Sequence, residues 1–164
     1  MKAVTERDIR SSFVNCSKTT AKKLPAPRDL DDRPWDDLDF LGWGDPSLPG
    51  RGYLVVPQED DRLIGVALRY EIGGFGRAQM CAICMTTHTS KGVSLMTAHK
   101  AGESGRRGNS VGTYMCTDLA CSLYARGKRT PALGNRYRED LISVETKVER
   151  VRDNMNAFIA RLYT

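Results

Sequence analysis

The chain has 164 residues, of which 40% are hydrophobic and 27% charged, and its formal net charge is +5 at pH 7. This length allows one domain with a sizeable buried core, or a domain with an appended arm. No apolar run reaches the roughly 18 residues of a membrane-spanning helix, and residues 1–6 are not a secretory leader, so we expect no membrane partner. We therefore expect a cytoplasmic protein whose thiols stay reduced, an environment that favours metal binding over disulfides.

The charge is distributed unevenly along the chain. Residues 1–28 contain seven Lys/Arg and two acids, a balance of +5, and residues 77–138 contain ten against two, a balance of +8. Residues 29–45 contain seven acids against Arg33, a balance of −6. The segment 77–138 also contains four of the five cysteines. A basic surface of this kind favours an acidic protein or a phosphate backbone as its partner.

The first part of the chain predicts a helix. Thr5 is a suitable N-cap, apolar residues then share one face to about Lys23, and prolines follow. Cys16 lies on that apolar face, where a small buried hydrophobic residue is the simplest interpretation.

Residues 28–50 are rich in proline and aspartate but contain Trp35 and Trp43. Tryptophans are uncommon in a linker, so we predict an ordered loop docked on the core, with a short helical turn over residues 34–39. An acidic metal or ligand site here is the alternative, although the spacing matches no known cation-binding loop.

The next segment predicts a β-hairpin, with strands over residues 53–56 and 63–70 joined by a polar turn. Alternating apolar residues then predict a second hairpin with strands over residues 93–98 and 110–115, separated by a loop over residues 102–108.

Two cysteine pairs flank this second hairpin. Cys81 and Cys84 are separated by two residues, Cys116 and Cys121 by four, and the 31 residues 85–115 lie between the pairs. Each pair can supply two thiolates from one turn, which is the pattern of a closed, structural zinc site. Disulfides or a redox pair are the alternatives.

His88 follows Cys84 by four residues and raises a further alternative at this site. It could replace one cysteine as a zinc ligand, but we favour a hydrogen bond near the site or simple exposure.

A helix from Leu119 to Arg126, closed by Gly127, follows the second hairpin. A knuckle, a β-hairpin and a helix with the second ligand pair form the layout of a treble-clef zinc finger over residues 77–127.

The remaining chain predicts a long helix over residues 139–163. Its apolar residues recur at intervals of three and four: Leu141, Val144, Val148, Val151, Met155, Phe158 and Leu162. This stripe either packs against the sheet or binds a coiled-coil partner.

The sequence therefore predicts an α+β fold: antiparallel β-hairpins with a treble-clef zinc finger, an N-terminal helix and a long C-terminal helix. Residues 1–50 would form a helix and a Trp/Pro/Asp-rich loop packed on the core, and residues 51–164 the α/β lobe.

These cysteine spacings, together with the segment 108–121, resemble the FusB-type elongation factor G-binding proteins, whose C-terminal lobe is a treble-clef zinc finger often labelled the FBP domain. The resemblance covers most of residues 50–164. It implies one structural zinc ion held by the four cysteines and a partner surface on the zinc-bearing lobe. Members of the family bind the ribosomal translocase and help to release it from stalled complexes, and some thereby protect against fusidic acid. Better-known members add an N-terminal helical bundle, which this chain is too short to hold.

Charge and position predict which residues contact the partner, elongation factor G, on or off the ribosome. The candidates on the basic cysteine segment are Lys100, Arg106, Arg107, Tyr114, Tyr124, Arg126, Lys128 and Arg129.

Two other function classes remain to be weighed. The same residues could bind RNA, with arginines and lysines on phosphates and Tyr114 or Tyr124 stacked on bases. Catalysis is not expected, because the sequence has two histidines, no recognisable Ser-His-acid arrangement and a zinc site without an open position. We likewise expect no small-molecule substrate.

Overall fold

The computed structural model describes residues 1–73, 76–89, 91–132 and 141–164. Within these ranges the helices are α1 (Glu6–Ser12), α2 (Lys18–Lys23), α3 (Gly102–Arg106), α4 (Cys121–Ala125) and α5 (Val144–Ala160). The strands are β1 (Leu41–Gly44), β2 (Arg51–Pro57), β3 (Leu63–Arg69), β4 (Gln79–Met80), β5 (Thr87–His88), β6 (Val93–His99) and β7 (Ser110–Cys116). None of the helices described is long and apolar enough to cross a membrane.

An antiparallel sheet in the order β1-β2-β3-β6-β7 forms the centre of the fold. Strands β1 to β3 are a meander, and β6 and β7 are a hairpin paired from Val93–Cys116 to His99–Ser110. The strands β4 and β5 form a separate two-stranded ribbon at the first cysteine pair. The α+β class and both predicted hairpins are confirmed.

The sheet separates two apolar cores because its residues alternate between the faces. On one face, Leu54, Val66 and Met96 pack with the cysteines, with α4 and with the apolar side of α5. On the other face, Ile9 and Leu24 of the N-terminal helices cover β1, β2 and part of β3. On the same face of β6 and β7, Leu95 and Tyr114 are 42% and 41% exposed.

The N-terminal helix differs from the prediction, because it is two helices with a break. Thr5 caps α1 through the expected reciprocal capping box with Asp8, but Phe13 has an extended backbone and Ser17 caps α2. The residues of the break bond to the free edge of β3: the amide of Val14 donates to the carbonyl of Gly65 at 3.0 Å. These edge bonds replace the bonds that a continuous helix would have made.

The tryptophan-containing segment is ordered, and it contains a strand that the sequence did not predict. The turn at Trp35–Asp37 is 3-10 helical, close to the predicted position. Trp43 lies in β1, is 6% exposed and donates from Nε1 to the carbonyl of Pro25 at 2.8 Å. Trp43 therefore joins the sheet to the chain that follows α2.

The C-terminal helix begins later than predicted. Ser143 caps α5, Leu141 lies outside it and is fully exposed, and residues 139–140 lie outside the described ranges. The second half of the apolar stripe, from Val151 to Leu162, is buried in the core with the sheet and the cysteines. This half of the stripe therefore packs against the sheet, which is the first of the two alternatives, and is not available to a coiled-coil partner.

Candidate metal centre and basic surface

The four cysteines of the two pairs meet at one point. Their sulfurs all lie within 4.8 Å of one another, and all four residues are buried. The sulfurs of Cys81 and Cys121 are 3.7 Å apart, and those of Cys84 and Cys116 are 3.5 Å apart. A tetrahedron with Zn–S bonds of about 2.3 Å has sulfur–sulfur edges of about 3.8 Å. The site therefore suits one structural zinc ion, as predicted.

Each pair is shaped by a tight turn with a left-handed residue. In the first turn Met85 has φ 60°, and its amide donates to the carbonyl of Cys81 at 3.0 Å. In the second turn Leu119 has φ 56°, and its amide donates to the carbonyl of Cys116 at 2.9 Å. Residues other than glycine rarely adopt this conformation, so each turn must be held by its surroundings.

The thiols of this site differ in acidity because they are packed together. Burial alone would raise the pKa of Cys81, but hydrogen bonds from Cys116 and Cys121 hold it well below its usual value. The hydrogen bond with Cys116 contributes most to raising the pKa of Cys121 well above its usual value. The cluster therefore favours one thiolate, and the first negative charge opposes ionisation of the other thiols. Zinc would hold all four as thiolates and release the remaining protons.

His88 lies beside the sulfur cluster and contacts Cys116. Its Nε2 is 3.3 Å from the Cys116 sulfur, and its ring lies edge-on to Tyr124 with the centroids 4.7 Å apart. Burial lowers the pKa of His88, which favours the neutral imidazole. A neutral ring with its proton on Nε2 donates to the thiolate and reduces the charge that the sulfur carries. The hydrogen-bonding interpretation is therefore the one that the geometry supports.

Gly92 provides the space that His88 occupies. A Cβ atom at Gly92 would lie 2.3 Å from the Cβ of His88 and 2.7 Å from its Cγ. Only glycine fits at this position, because any side chain here would clash with the imidazole of His88.

Three of the predicted partner residues are bound to acids of the same chain. Arg126 forms an ion pair with Asp39, at 2.5 Å between Nη1 and Oδ2 and 3.0 Å between Nη2 and Oδ1. Lys128 pairs with Asp37 at 2.6 Å, and Arg129 lies 3.4 Å from Asp118.

Tyr124 belongs to the same internally bonded group. Its hydroxyl donates to Asp118 at 2.8 Å, and the guanidinium of Arg129 lies 5.9 Å from its ring centroid. Burial, followed by the Asp118 carboxylate, raises the pKa of Tyr124. Any partner that binds these residues must therefore compete with contacts already made within the chain.

The other predicted residues lie at the β6–β7 end of the molecule. Arg106 and Arg107 are exposed around α3, Lys100 follows β6, and Tyr114 is partly exposed on β7. In the described part of the chain, Lys100, Arg106 and Arg107 form no ion pair. The segment that is basic by sequence is thus divided in the fold into a neutralised side and a positive side.

Sequence reasoning missed a buried acid that pairs with two arginines. Asp39 has a side chain only 1% exposed and accepts hydrogen bonds from Arg126 and from Arg152, whose Nε lies 2.9 Å away. Its backbone amide also donates to the hydroxyl of Ser122 at 3.0 Å. A signal was present, because residues 29–45 and 77–138 have opposite charges of similar size.

Comparison with known proteins agrees with this geometry. The model of the FBP C-terminal treble-clef zinc-finger family matches residues 8–162. A search of curated proteins found no match.

Among solved structures, the fusidic acid resistance protein FusC has a similar fold, with a TM-score of 0.59 and 18% sequence identity. The similarity covers 98% of this chain and 59% of FusC, so this chain spans about three-fifths of that protein's length. The family match covers nearly the whole chain, including both cysteine pairs and the hairpin between them. The chain therefore belongs to the FBP C-terminal treble-clef zinc-finger family.

Proposed function

We propose that this chain is a non-catalytic, cytoplasmic protein-binding module that binds elongation factor G and promotes its release from the ribosome. The observation that carries the proposal is the family match over residues 8–162, with all four zinc ligands in place. The fusidic acid resistance of the similarly folded FusC is a property of that protein, and protection from this drug is a further proposal for this chain.

The metal centre supports a binding role. Four buried thiolates fill the coordination shell of zinc and leave no position for a substrate or an activated water. The zinc ion then acts on the fold alone, by joining the turn before β5 to the start of α4. Binding of the partner then depends on the surface of the lobe that the zinc centre stabilises.

The positive side of the lobe suits an acidic partner. Lys100, Arg106 and Arg107 form no ion pair in the described ranges, so an approaching carboxylate displaces no internal partner. To bias release, the module must bind the factor more tightly in its free conformation than in its ribosome-bound conformation. The ratio of the two affinities sets how far the equilibrium moves.

A pull-down with purified elongation factor G tests this proposal, after nuclease treatment and a salt wash that remove RNA bridges. We expect the zinc-loaded wild type to retain the factor and Arg107→Glu to lose affinity while keeping its zinc. Arg62→Glu is the matched control, because Arg62 is an exposed arginine in the turn between β2 and β3. If the wild type retains no factor, the proposed function fails, and if Arg107→Glu binds as well as Arg62→Glu, Arg107 is not a contact.

A further inference from the structure

We propose that a basic cleft beside the break between α1 and α2 binds the phosphate backbone of single-stranded RNA. The cleft consists of two cavities of about 270 and 340 Å³, and both are lined by Asn15, Cys16 and His99. Its cationic and potentially cationic side chains, which define what we call the basic cleft, are Arg51, Arg69, His99, Lys100 and Arg106. Three of these five lie outside the set that the sequence predicted.

Two arginines of the cleft are placed in an arrangement that the fold does not favour. Arg51 and Arg69 are directly opposite each other in the β2–β3 ladder, so both side chains lie on the same face of the sheet. Like charges at such a cross-strand position lower stability. Both are exposed, and neither has an ion-pair partner among the residues described. An anion bound between them would remove this repulsion.

Carboxylates are absent from the lining of both cavities. Two acids lie next to the cleft: Asp45 accepts a 2.5 Å hydrogen bond from the hydroxyl of Tyr53, and Glu103 follows the lining residue Gly102 in the chain. The amides of Ser47 and Leu48 also donate to Asp45, which fixes the position of its carboxylate but does not remove its charge. The four Arg and Lys side chains of the cleft outnumber these two acids, so the cleft has a net positive charge that favours a polyanion.

The partly exposed face of β6 and β7 that carries Leu95 and Tyr114 continues the cleft with a surface on which bases can stack. Leu95 and Tyr114 are paired in register, and His99 is paired with Ser110 four residues along the same face. At about 3.3 Å per residue, the two pairs lie about 13 Å apart. Between them Thr97 is opposite Gly112, which has no side chain to block the path.

This combination favours single-stranded nucleic acid over a folded acidic protein. A cationic cleft can bind an extended phosphate backbone, and an adjacent aromatic ring can stack on a base of any sequence. The choice of RNA over DNA rests on the proposed function, which brings the chain to the ribosome. The site itself rests on the contacts above and does not depend on elongation factor G.

Fluorescence anisotropy of a labelled 12-nucleotide uridine RNA, titrated with zinc-loaded full-length chain at several salt concentrations, tests the proposal. With four cations on phosphates, we expect log K to fall with log[salt] at a slope of about −3. The double variant Arg51→Gln/Arg69→Gln should weaken binding and reduce the slope by about 1.4. The control Arg62→Gln should leave both unchanged.

Tyr114→Ala tests the stacking surface separately. We expect RNA affinity to fall about 5- to 150-fold with an unchanged salt slope, and affinity for inorganic polyphosphate to stay the same. Zinc content equal to that of the wild type and a cooperative thermal unfolding transition establish that each variant is folded.

Several results would overturn the proposal. The first is that the wild type fails to bind RNA at low salt. The second is that the Arg51/Arg69 double variant binds RNA as well as the Arg62→Gln control does. The third is that the wild type binds RNA no more tightly than it binds polyphosphate. Equal affinity for a DNA 12-mer would overturn the choice of RNA. If the double variant loses elongation factor G and the wild type binds no RNA, the cleft belongs to the protein interface. RNA binding by a wild type that fails the factor pull-down would instead support this site and reject the proposed function.

Discussion

The carboxylate of Asp39 holds the guanidinium of Arg126 through two hydrogen bonds, one from each terminal nitrogen. The two residues are 87 positions apart, and their side chains are 1% and 12% exposed. Burial alone would raise the pKa of Asp39, but the contacts with Arg126 and Arg152 hold it below its usual value. This ion pair connects the acidic N-terminal segment to the helix that carries Cys121.

Replacing Asp39 should leave Arg126 as a partly buried charge without its partner. For Asp39→Ala we expect the free energy of unfolding in urea to fall by about 3 kcal/mol, the lower end of the range for breaking a buried pair. Lys128→Ala is the control, because it breaks the more exposed pair with Asp37 and should cost less than about 1 kcal/mol. Equal losses in the two variants would show that the Asp39 pair has no special role in stability.

Removing one zinc ligand should release the metal and unfold its surroundings. For Cys116→Ser we expect loss of stoichiometric zinc, measured by elemental analysis, and loss of amide protection around residues 77–127 in hydrogen exchange. Cys16→Ser is the control, since Cys16 packs in the other core from the four cysteines and should not affect zinc content. A Cys116→Ser protein with full zinc content would refute the four-thiolate site.

His88 should tune the metal site without holding it. For His88→Ala we expect one zinc ion per chain still bound, with an affinity about 10- to 100-fold lower in competition with a chelator, because a second-shell hydrogen bond to Cys116 is lost. His99→Ala, an exposed histidine on β6, should leave the affinity unchanged. Complete loss of zinc from His88→Ala would instead indicate a ligand.

Gly42 should be intolerant of a side chain because the second cysteine turn packs directly against it. A Cβ atom there would lie 2.6 Å from the Cβ of Leu119 and 3.1 Å from its carbonyl oxygen. We expect Gly42→Ala to lower the free energy of unfolding by about 1–3 kcal/mol, as overpacking does. Gly44→Ala, whose Cβ would meet nothing closer than 4.0 Å, is the control in the same strand. Equal stability of the two variants would mean that the turn can shift away.

The features that could be predicted from the sequence are those specified by neighbours in the chain. The cysteine spacings at Cys81 and Cys116 depend on turns of four to six residues, and the hairpins depend on alternation within each strand. These local signals are enough to predict a treble-clef layout.

The features that could not be predicted depend on distant partners. The break after α1 exists because Val14 bonds to Gly65, and no local pattern in the helix indicates that edge. The charge balance of the cysteine segment was misleading as a guide to its surface, since Arg126 and Lys128 face aspartates from residues 29–45. A sum over sequence is a poor measure of surface potential when an oppositely charged segment folds onto it.

The junction between the meander and the β6–β7 hairpin has a consequence for how the sheet assembles. In the described ranges these two units pair in register at Arg69 and Thr97 alone, where the Thr97 hydroxyl also donates to the Arg69 carbonyl at 3.1 Å. All other register pairs of this sheet join strands that follow each other in the meander or in the hairpin, so each unit pairs without a crossover. Each unit can form from its own contacts, and closure of the sheet depends on one residue pair together with the helices that pack on its two faces.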